Sequence, residues 1–554
     1  MYIRQISRKR KDGSRVRYLQ LARKVRDRET GAPRDEVLFH FGREDAIDKE
    51  QIKRLVSSFS RFLDQADRAA VQASLRGMGT DLRVEQSLSF GGSYLLNALW
   101  KRLELDKTLS DLLRDRSYEI GIERLLFAMV ANRALAPRSK LAMERWVGRK
   151  VAVEGLEQVQ SHALYRAMDF LVEHGDELQR SVFFSVATLL NLEVDLLFFD
   201  TTSTYFEVEE ADEEGLRRYG HSKDHRKDLP QVVIGLAVTR SGIPVRCWVW
   251  PGNTADASTV EQVQRDLAGW KLSRVVWVVD RGFAGENQRH AFQRGGGQVI
   301  VGEKLRGAEP DNQEALSHPG RFRTVRDNLE VKEVVLGEGS GKRRFVVVRN
   351  PEQAKRDRTV RTRLLERLTE AIDQVNRKGK GHTKRVCELK SHRGYGRFIR
   401  ELKNGELRID KARVREDEKL DGKYLLSTTD PSLSAEDVAL GYKQLIEVER
   451  AFRTMKHTLE LRPLHHRLPD RIRSHVLLCW LGLLLVRVAE NETGQTWDRM
   501  RDELEELSLI KLCGKDGRLE MISELTGQQH NILKTLGVTP PRQVLSIARD
   551  PEKL

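Results

Sequence analysis

Two apolar runs that each end in an aspartate constrain this chain more than any other feature. Leu196-Leu197-Phe198-Phe199 runs into Asp200, and Val275-Val276-Trp277-Val278-Val279 runs into Asp280. Short runs rich in β-branched and aromatic residues read as buried strands. Side chains alternate across a strand, so Leu196, Phe198 and Asp200 share one face, and Asp200 closes a column that begins in the core. A carboxylate at the mouth of a buried strand is costly to desolvate unless a cation neutralises it. If the two strands are neighbours, both carboxylates meet at one sheet end. A third acid, Glu449, lies in a stretch of helical spacing, with Tyr442, Leu445, Phe452, Arg453 and Lys456 on its face. Glu447 is expected about 200° away, towards solvent. Three carboxylates without a histidine cage favour Mg2+ or Mn2+ over zinc.

A chain of 554 residues is too long for one core, and three to five domains are expected. Residues 1–90 read as a small basic β-sheet plus helix, a candidate N-terminal DNA-binding domain. Asp12-Gly13 is a hairpin signal there, Asp35 to Phe41 supplies a third strand, and Ile47, Ile52, Leu55, Val56, Phe59 and Leu63 recur at helical spacing. Residues 91–190 read as helical throughout. In 191–304 the spacing predicts strands over 194–206, 231–239, 244–250, 274–279 and 298–301, with helices over 258–270 and 287–294. That order implies a mixed α/β sheet with helices on both faces. Residues 305–435 break the rhythm and read as an insertion, with a dense basic tract over 377–400. Residues 436–495 complete the core with the Glu449 helix, and 496–554 read as a helical, charged C-terminal region.

Lys and Arg number 97 against 82 Asp and Glu, a formal charge of +15. That excess suits a nucleic-acid partner without demanding one. Four widely spaced cysteines with no C-x-x-C pair argue against a zinc site or disulfide framework, and a reducing, cytoplasmic compartment fits. The most apolar stretch, Val476 to Val486, is too short to cross a bilayer and reads as a buried helix, so no membrane is expected. There is no GxxxxGK[ST] loop, hence no nucleotide cofactor, and no G-x-S-x-G or HExxH motif. His465-His466 is expected to be exposed or to contact DNA.

The acids also fall in motifs. Phe199-Asp200-Thr201-Thr202, Asp280-Arg281-Gly282-Phe283 and Val448-Glu449-Arg450-Ala451-Phe452-Arg453-Thr454-Met455-Lys456 occur in order, the acids 80 and then 169 residues apart. Together they resemble the bacterial insertion-sequence DDE transposases of the Y-x2-R-x3-E-x6-K subgroup, whose signature falls on Tyr442, Glu449 and Lys456. Leu445 stands at the Arg position, a departure. Gly220 to Arg226, with Lys223 and Arg226, resembles the family's loop between the first two strands. The resemblance implies a ribonuclease H-like core interrupted by a β-rich insertion domain. It implies Asp200, Asp280 and Glu449 as catalytic ligands of two Mg2+ (or Mn2+) ions. The implied substrates are double-stranded DNA, both transposon ends and target, cut and joined by a nucleoid-associated homodimer that pairs two ends. Tyr442, Arg453, Lys456, Arg281, Lys223 and Arg226 are the implied DNA contacts, and Tyr395 and Phe398 are candidates to stack on a flipped base. The alternatives are a nuclease that never joins ends and a non-catalytic DNA-binding protein.

Overall fold

The computed structural model describes residues 2–9, 15–26, 33–43, 83–114, 121–190, 196–208, 210–270, 275–294, 297–307, 309–339, 342–377, 382–392, 394–514 and 517–549. The chain divides into two compact units, one of residues 1–90, 506–527 and 540–554, the other of 91–505 and 528–539. In the first unit β1 (Tyr2–Lys9), β2 (Arg15–Arg26) and β3 (Pro33–Arg43) form an antiparallel sheet. The Lys11 to Ser14 turn and the helical spacing over 47–63 lie outside the described residues. A further strand, β4 (Arg83–Ser89), was not expected.

The second unit opens with six helices: α1 (Gly91–Arg102), α2 (Leu105–Leu112), α3 (Ile122–Leu135), α4 (Lys140–Trp146), α5 (Ser161–Glu173) and α6 (Gly175–Leu189). Of these, α3 is buried along nearly all its length, Asn132 and Arg133 included, as only a helix surrounded by protein is. Ser139 caps α4 by accepting the Ala142 N–H.

The expected strands and helices of 191–304 then follow: β5 (Leu196–Tyr205), β6 (Gln231–Val238), β7 (Pro244–Pro251), α7 (Asp256–Ala268), β8 (Val276–Val279), α8 (Glu286–Arg294) and β9 (Gln298–Glu303). β5, β6 and β7 make an antiparallel meander, and β8 and β9 return parallel to β5 on its other side. Three antiparallel strands followed by two parallel crossovers is the ribonuclease H-like arrangement. Phe183 of α6, Val260, Val263 and Leu267 of α7, and Phe292 of α8 cover one sheet face. Phe199 is the hub there, edge-on to Trp248, Trp277 and Phe283.

The expected insertion does not stand clear of this sheet. After α9 (Pro310–Ser317), its strands β10 (Arg323–Arg326), β11 (Leu329–Leu336) and β12 (Arg343–Arg349) extend the same sheet. What forms a core of its own is α10 (Pro351–Asn376), α11 (His382–Ser391), the hairpin β13 (Ile399–Glu401) with β14 (Leu407–Ile409), and α12 (Lys411–Glu418). The chain then returns as β15 (Lys423–Thr428), paired between β12 and β9, giving a nine-stranded sheet.

The opposite face carries α13 (Ala435–Lys443) and α14 (Ile446–Arg453). One helix was expected over 438–457. The chain instead breaks at Gln444-Leu445 and widens to a π-helical turn over Thr454–Thr458. α15 (Pro469–Thr493) packs on α3, α5 and β7. It is long and apolar enough to cross a membrane, but nearly all of its apolar length is buried inside the protein.

After α16 (Trp497–Glu505) the C-terminal region departs from the expected helix. β16 (Ser508–Gly514), β17 (Gly517–Ile522) and β18 (Val544–Arg549), with α17 (Gly527–Thr535) between the last two, form an antiparallel sheet ordered β18-β17-β16-β4. Asp516-Gly517 is a hairpin signal. The strands alternate weakly because most of β16 is only half-buried.

Candidate active site

Asp200 interrupts β5 just past its pairing with β8. Phe199 lies opposite Val279, so Asp200 and Asp280 occupy the next positions on two adjacent parallel strands, which run about 4.8 Å apart. Leu196 contacts the Gly441 side of α13. By alternation Asp200 therefore faces α13 and α14, and Thr201 faces α7. Glu449 sits on α14, which packs over β5 and β6. Its carboxylate is exposed and makes no hydrogen bond or ion pair among the described residues. Glu447, expected to face solvent, is half-buried and pairs with Arg450 at 2.8 Å.

A single lysine ties the strand end together. Lys223 Nζ donates to the Thr201 carbonyl and to Thr201 Oγ1, both at 2.7 Å. It lies 3.1 Å from Asp256 Oδ2 and 3.8 Å from Asp200 Oδ1. Thr201 Oγ1 in turn donates to Asp256 Oδ1. Burial pushes the Asp200 carboxyl up to about 6. Lys223 and the Thr201 N–H oppose that rise, and the charges of Asp256 and Asp280 add to it.

Asp280 is fixed from the other side. Tyr442 at the end of α13 donates its hydroxyl to Asp280 Oδ1 at 3.1 Å. Burial, then the nearby Asp280 charge, raises the Tyr442 hydroxyl well above its usual range, so it remains a donor. The ring fits because Gly302 of β9 lies beneath it; a Cβ there would stand 2.2 Å from Tyr442 Oη. Phe283, buried after the short turn that follows Asp280, anchors the chain as it leaves.

All the acids present oxygen donors, the set that hard divalent cations take. Among the described residues no three of them are gathered into a ready-made cage. Mg2+ is commonly held by one or two carboxylates together with substrate phosphate oxygens. The Asp200–Asp280 pair fits that mode.

A profile of the transposase DDE domain matches residues 199–485, more than half of the chain and the span from the first acid to beyond the third. The chain belongs to the DDE transposase family. The N-terminal domain of IS1634 family transposases matches residues 3–72. Among solved structures, a piggyBac transposase synaptic complex with hairpin DNA, seen by cryo-electron microscopy, is similar over 74% of this chain and 79% of that chain, at 10% identity and a TM-score of 0.35. A search of curated proteins finds no match.

Of the residues expected to touch DNA, Tyr442 and Lys223 instead meet Asp280 and Asp200, and the other six divide into three groups in the transposase. Arg281 and Arg453 are exposed and carry no ion pair among the described residues. Lys456 and Arg226 are engaged by the protein instead. Lys456 Nζ and Arg462 Nη1 both meet Asp224 Oδ1 at 2.7 Å, while Arg226 pairs with Asp228 and lies over the Tyr205 ring. Phe398 does not present a stacking face: it is 1% exposed at the centre of the α10–β14 core. Tyr395 stacks on His392 with centroids 4.2 Å apart. Sequence reasoning missed Asp224 and Asp256. Neither follows an apolar run, although Asp256 opens a helix just after Gly252-Asn253-Thr254. Glu303 also ends an apolar strand, yet Arg289, Arg343 and Ser427 saturate it.

Proposed function

We propose that the transposase cuts DNA at the inverted-repeat ends of an insertion sequence and joins the freed 3′-hydroxyls to target DNA. Asp200, Asp280 and Glu449 are the catalytic acids, and two Mg2+ (or Mn2+) ions are the cofactors. The observation that supports this most is the β5–β8 register, which sets Asp200 beside Asp280 under the helix that bears Glu449. Bound there, the ions supply Lewis-acid activation of a water or 3′-hydroxyl and stabilise the leaving oxygen.

The chain's own groups prepare that chemistry. Tyr442 holds one oxygen of Asp280 and leaves the other for a cation. Lys223 offsets the charge of Asp200 and Asp256, which keeps a crowded acid cluster from repelling itself apart. Arg281 and Arg453 are placed to hold phosphates flanking the scissile bond. The transposase needs no nucleotide cofactor, because transesterification conserves phosphodiester bonds. It acts on the chromosome as a cytoplasmic, nucleoid-associated homodimer that pairs two ends.

Asp200→Asn and Glu449→Gln test the assignment. Each is expected to abolish Mg2+-dependent cleavage of end-bearing DNA and joining of pre-cleaved ends into a plasmid, while gel-shift binding persists. Cleavage that survives either substitution at the parental rate removes the assignment. Cleavage without joining by the parent protein would make it a nuclease only.

A further inference from the structure

A second basic feature lies outside the acid site. Between α5 and the loop leading into α15 is an open groove of about 590 Å3. Its lining includes Tyr165 and Arg166 of α5 and His466, Arg467 and Arg471 opposite. Asp169 is the sole acid in that lining, and Arg471 Nη2 pairs with it at 2.8 Å. The Arg471 guanidinium also lies 4.9 Å from the Tyr165 ring centroid, and His466 meets the same ring edge-on at 6.4 Å. Arg166 and Arg467 are exposed and have no ion pair among the described residues.

Behind the groove lie two buried basic side chains, Arg133 and Lys140, beside a pair of histidines that burial keeps neutral. The His466 ring lies 5.5 Å from buried His475, and both sense the charges of Arg133 and Lys140. Lys140 is 3% exposed and makes no hydrogen bond or ion pair among the described residues. Burial, then the like charge of Arg133, lowers its ammonium to about 7. A buried ammonium without a carboxylate partner is costly. Its cost is offset when an anion sits against the wall it backs.

We propose that this groove holds the phosphodiester backbone of duplex DNA, with Arg166 and Arg467 on phosphates and Tyr165 against a sugar or base edge. The assignment rests on the reading of the protein as a DNA transposase and adds a second DNA contact to it. Connectivity supports this. Leu464, just before the groove loop, donates its N–H to the Tyr205 carbonyl at 3.1 Å, at the end of the strand that carries Asp200. One short segment thus joins the groove to the acid-bearing strand.

The test uses the full-length protein and a mixed-sequence DNA duplex in EDTA, so that cleavage does not intervene. Each lost phosphate contact lowers the slope of log Kobs against log salt by about 1. Arg166→Gln/Arg467→Gln is expected to lower it by about 2 and to weaken binding, with an unchanged melting temperature because both side chains are exposed. Arg358→Gln/Arg363→Gln removes the same charge from the exposed side of α10 and is expected to leave the slope near the parent's. An unchanged slope in the groove variant, or an equal fall in the α10 variant, overturns the groove assignment. Failure of the parent to bind DNA at all defeats the transposase reading instead.

Discussion

Three acids in this transposase follow apolar runs in strands, and their neighbours decide what each can do. Glu303 is saturated by two arginines and a serine, so it is a structural joint. Asp280 is held by one hydroxyl. Asp200 is half-buried, with Lys223 only at 3.8 Å. Its raised pKa gives a signed expectation. The folded state holds the Asp200 proton more tightly than the unfolded chain does. Stability therefore falls as pH rises from about 4 to about 6, and the full cost of the buried charge is present at pH 7. Asp200→Asn removes that charge. Without metal, the variant should melt higher than the parent at pH 7 and about equally below pH 4. A fluorescence melt at both pH values checks it. Gly302 gives a second test. A Cβ 2.2 Å from Tyr442 Oη forces the ring off Asp280, so Gly302→Ala should cost about 1–3 kcal/mol in urea unfolding. In a Tyr442→Ala background the same change should cost less than about 1 kcal/mol, a coupling expected only of residues in contact.

Elements were legible where one local pattern decided them. β5 and β8 announced themselves as apolar runs stopped by an acid, and the strand–helix alternation of 191–304 sufficed for a mixed α/β sheet, the ribonuclease H-like core being implied only by the motif resemblance. What the pattern hid was pairing at long range. β15 meets β9 through Leu425 opposite Glu303, a partner more than a hundred residues away, so the segment around β10–β12 read as separate. The break between α13 and α14 was hidden because Leu445 suits an apolar position in a continuous helix and in a broken one. Its consequence is geometric: Tyr442 reaches Asp280 from α13 while α14 lies on β5. Asp224 and Asp256 carry no periodic signal at all and emerge only from their cations. Within α15, burial was readable and gives a contrast. Leu478 is fully buried and Leu468, just before the helix, is 64% exposed. Leu478→Ala should cost about 2–5 kcal/mol and Leu468→Ala within about 0.5 kcal/mol, both measured by urea unfolding.

For the molecule as a whole, the first unit joins the two ends of the sequence. β4 pairs along β16, Ser89 opposite Ser508 through Arg83 opposite Cys513, so the N-terminal region supplies one edge of the C-terminal sheet. The family match for the N-terminal domain stops at residue 72, before β4 begins. A truncation guided by that match and one made at the start of α1 differ by a single strand, yet their outcomes should differ sharply. Removing residues 1–72 leaves β4 in place and the four-stranded sheet whole. Removing 1–90 bares the N–H and C=O groups of β16, an open edge that invites pairing with another chain. The first truncation should elute as one sharp species on size exclusion, whereas the second should shift to larger, concentration-dependent species. Lys511 points the cure. It pairs with Glu520 across the sheet at 3.1 Å, and inward or edge charges are what block strand addition. A second lysine at Ile510 in the 1–90 deletion should therefore restore part of the single species. If both truncations elute alike, the β4–β16 pairing does not hold the C-terminal sheet together.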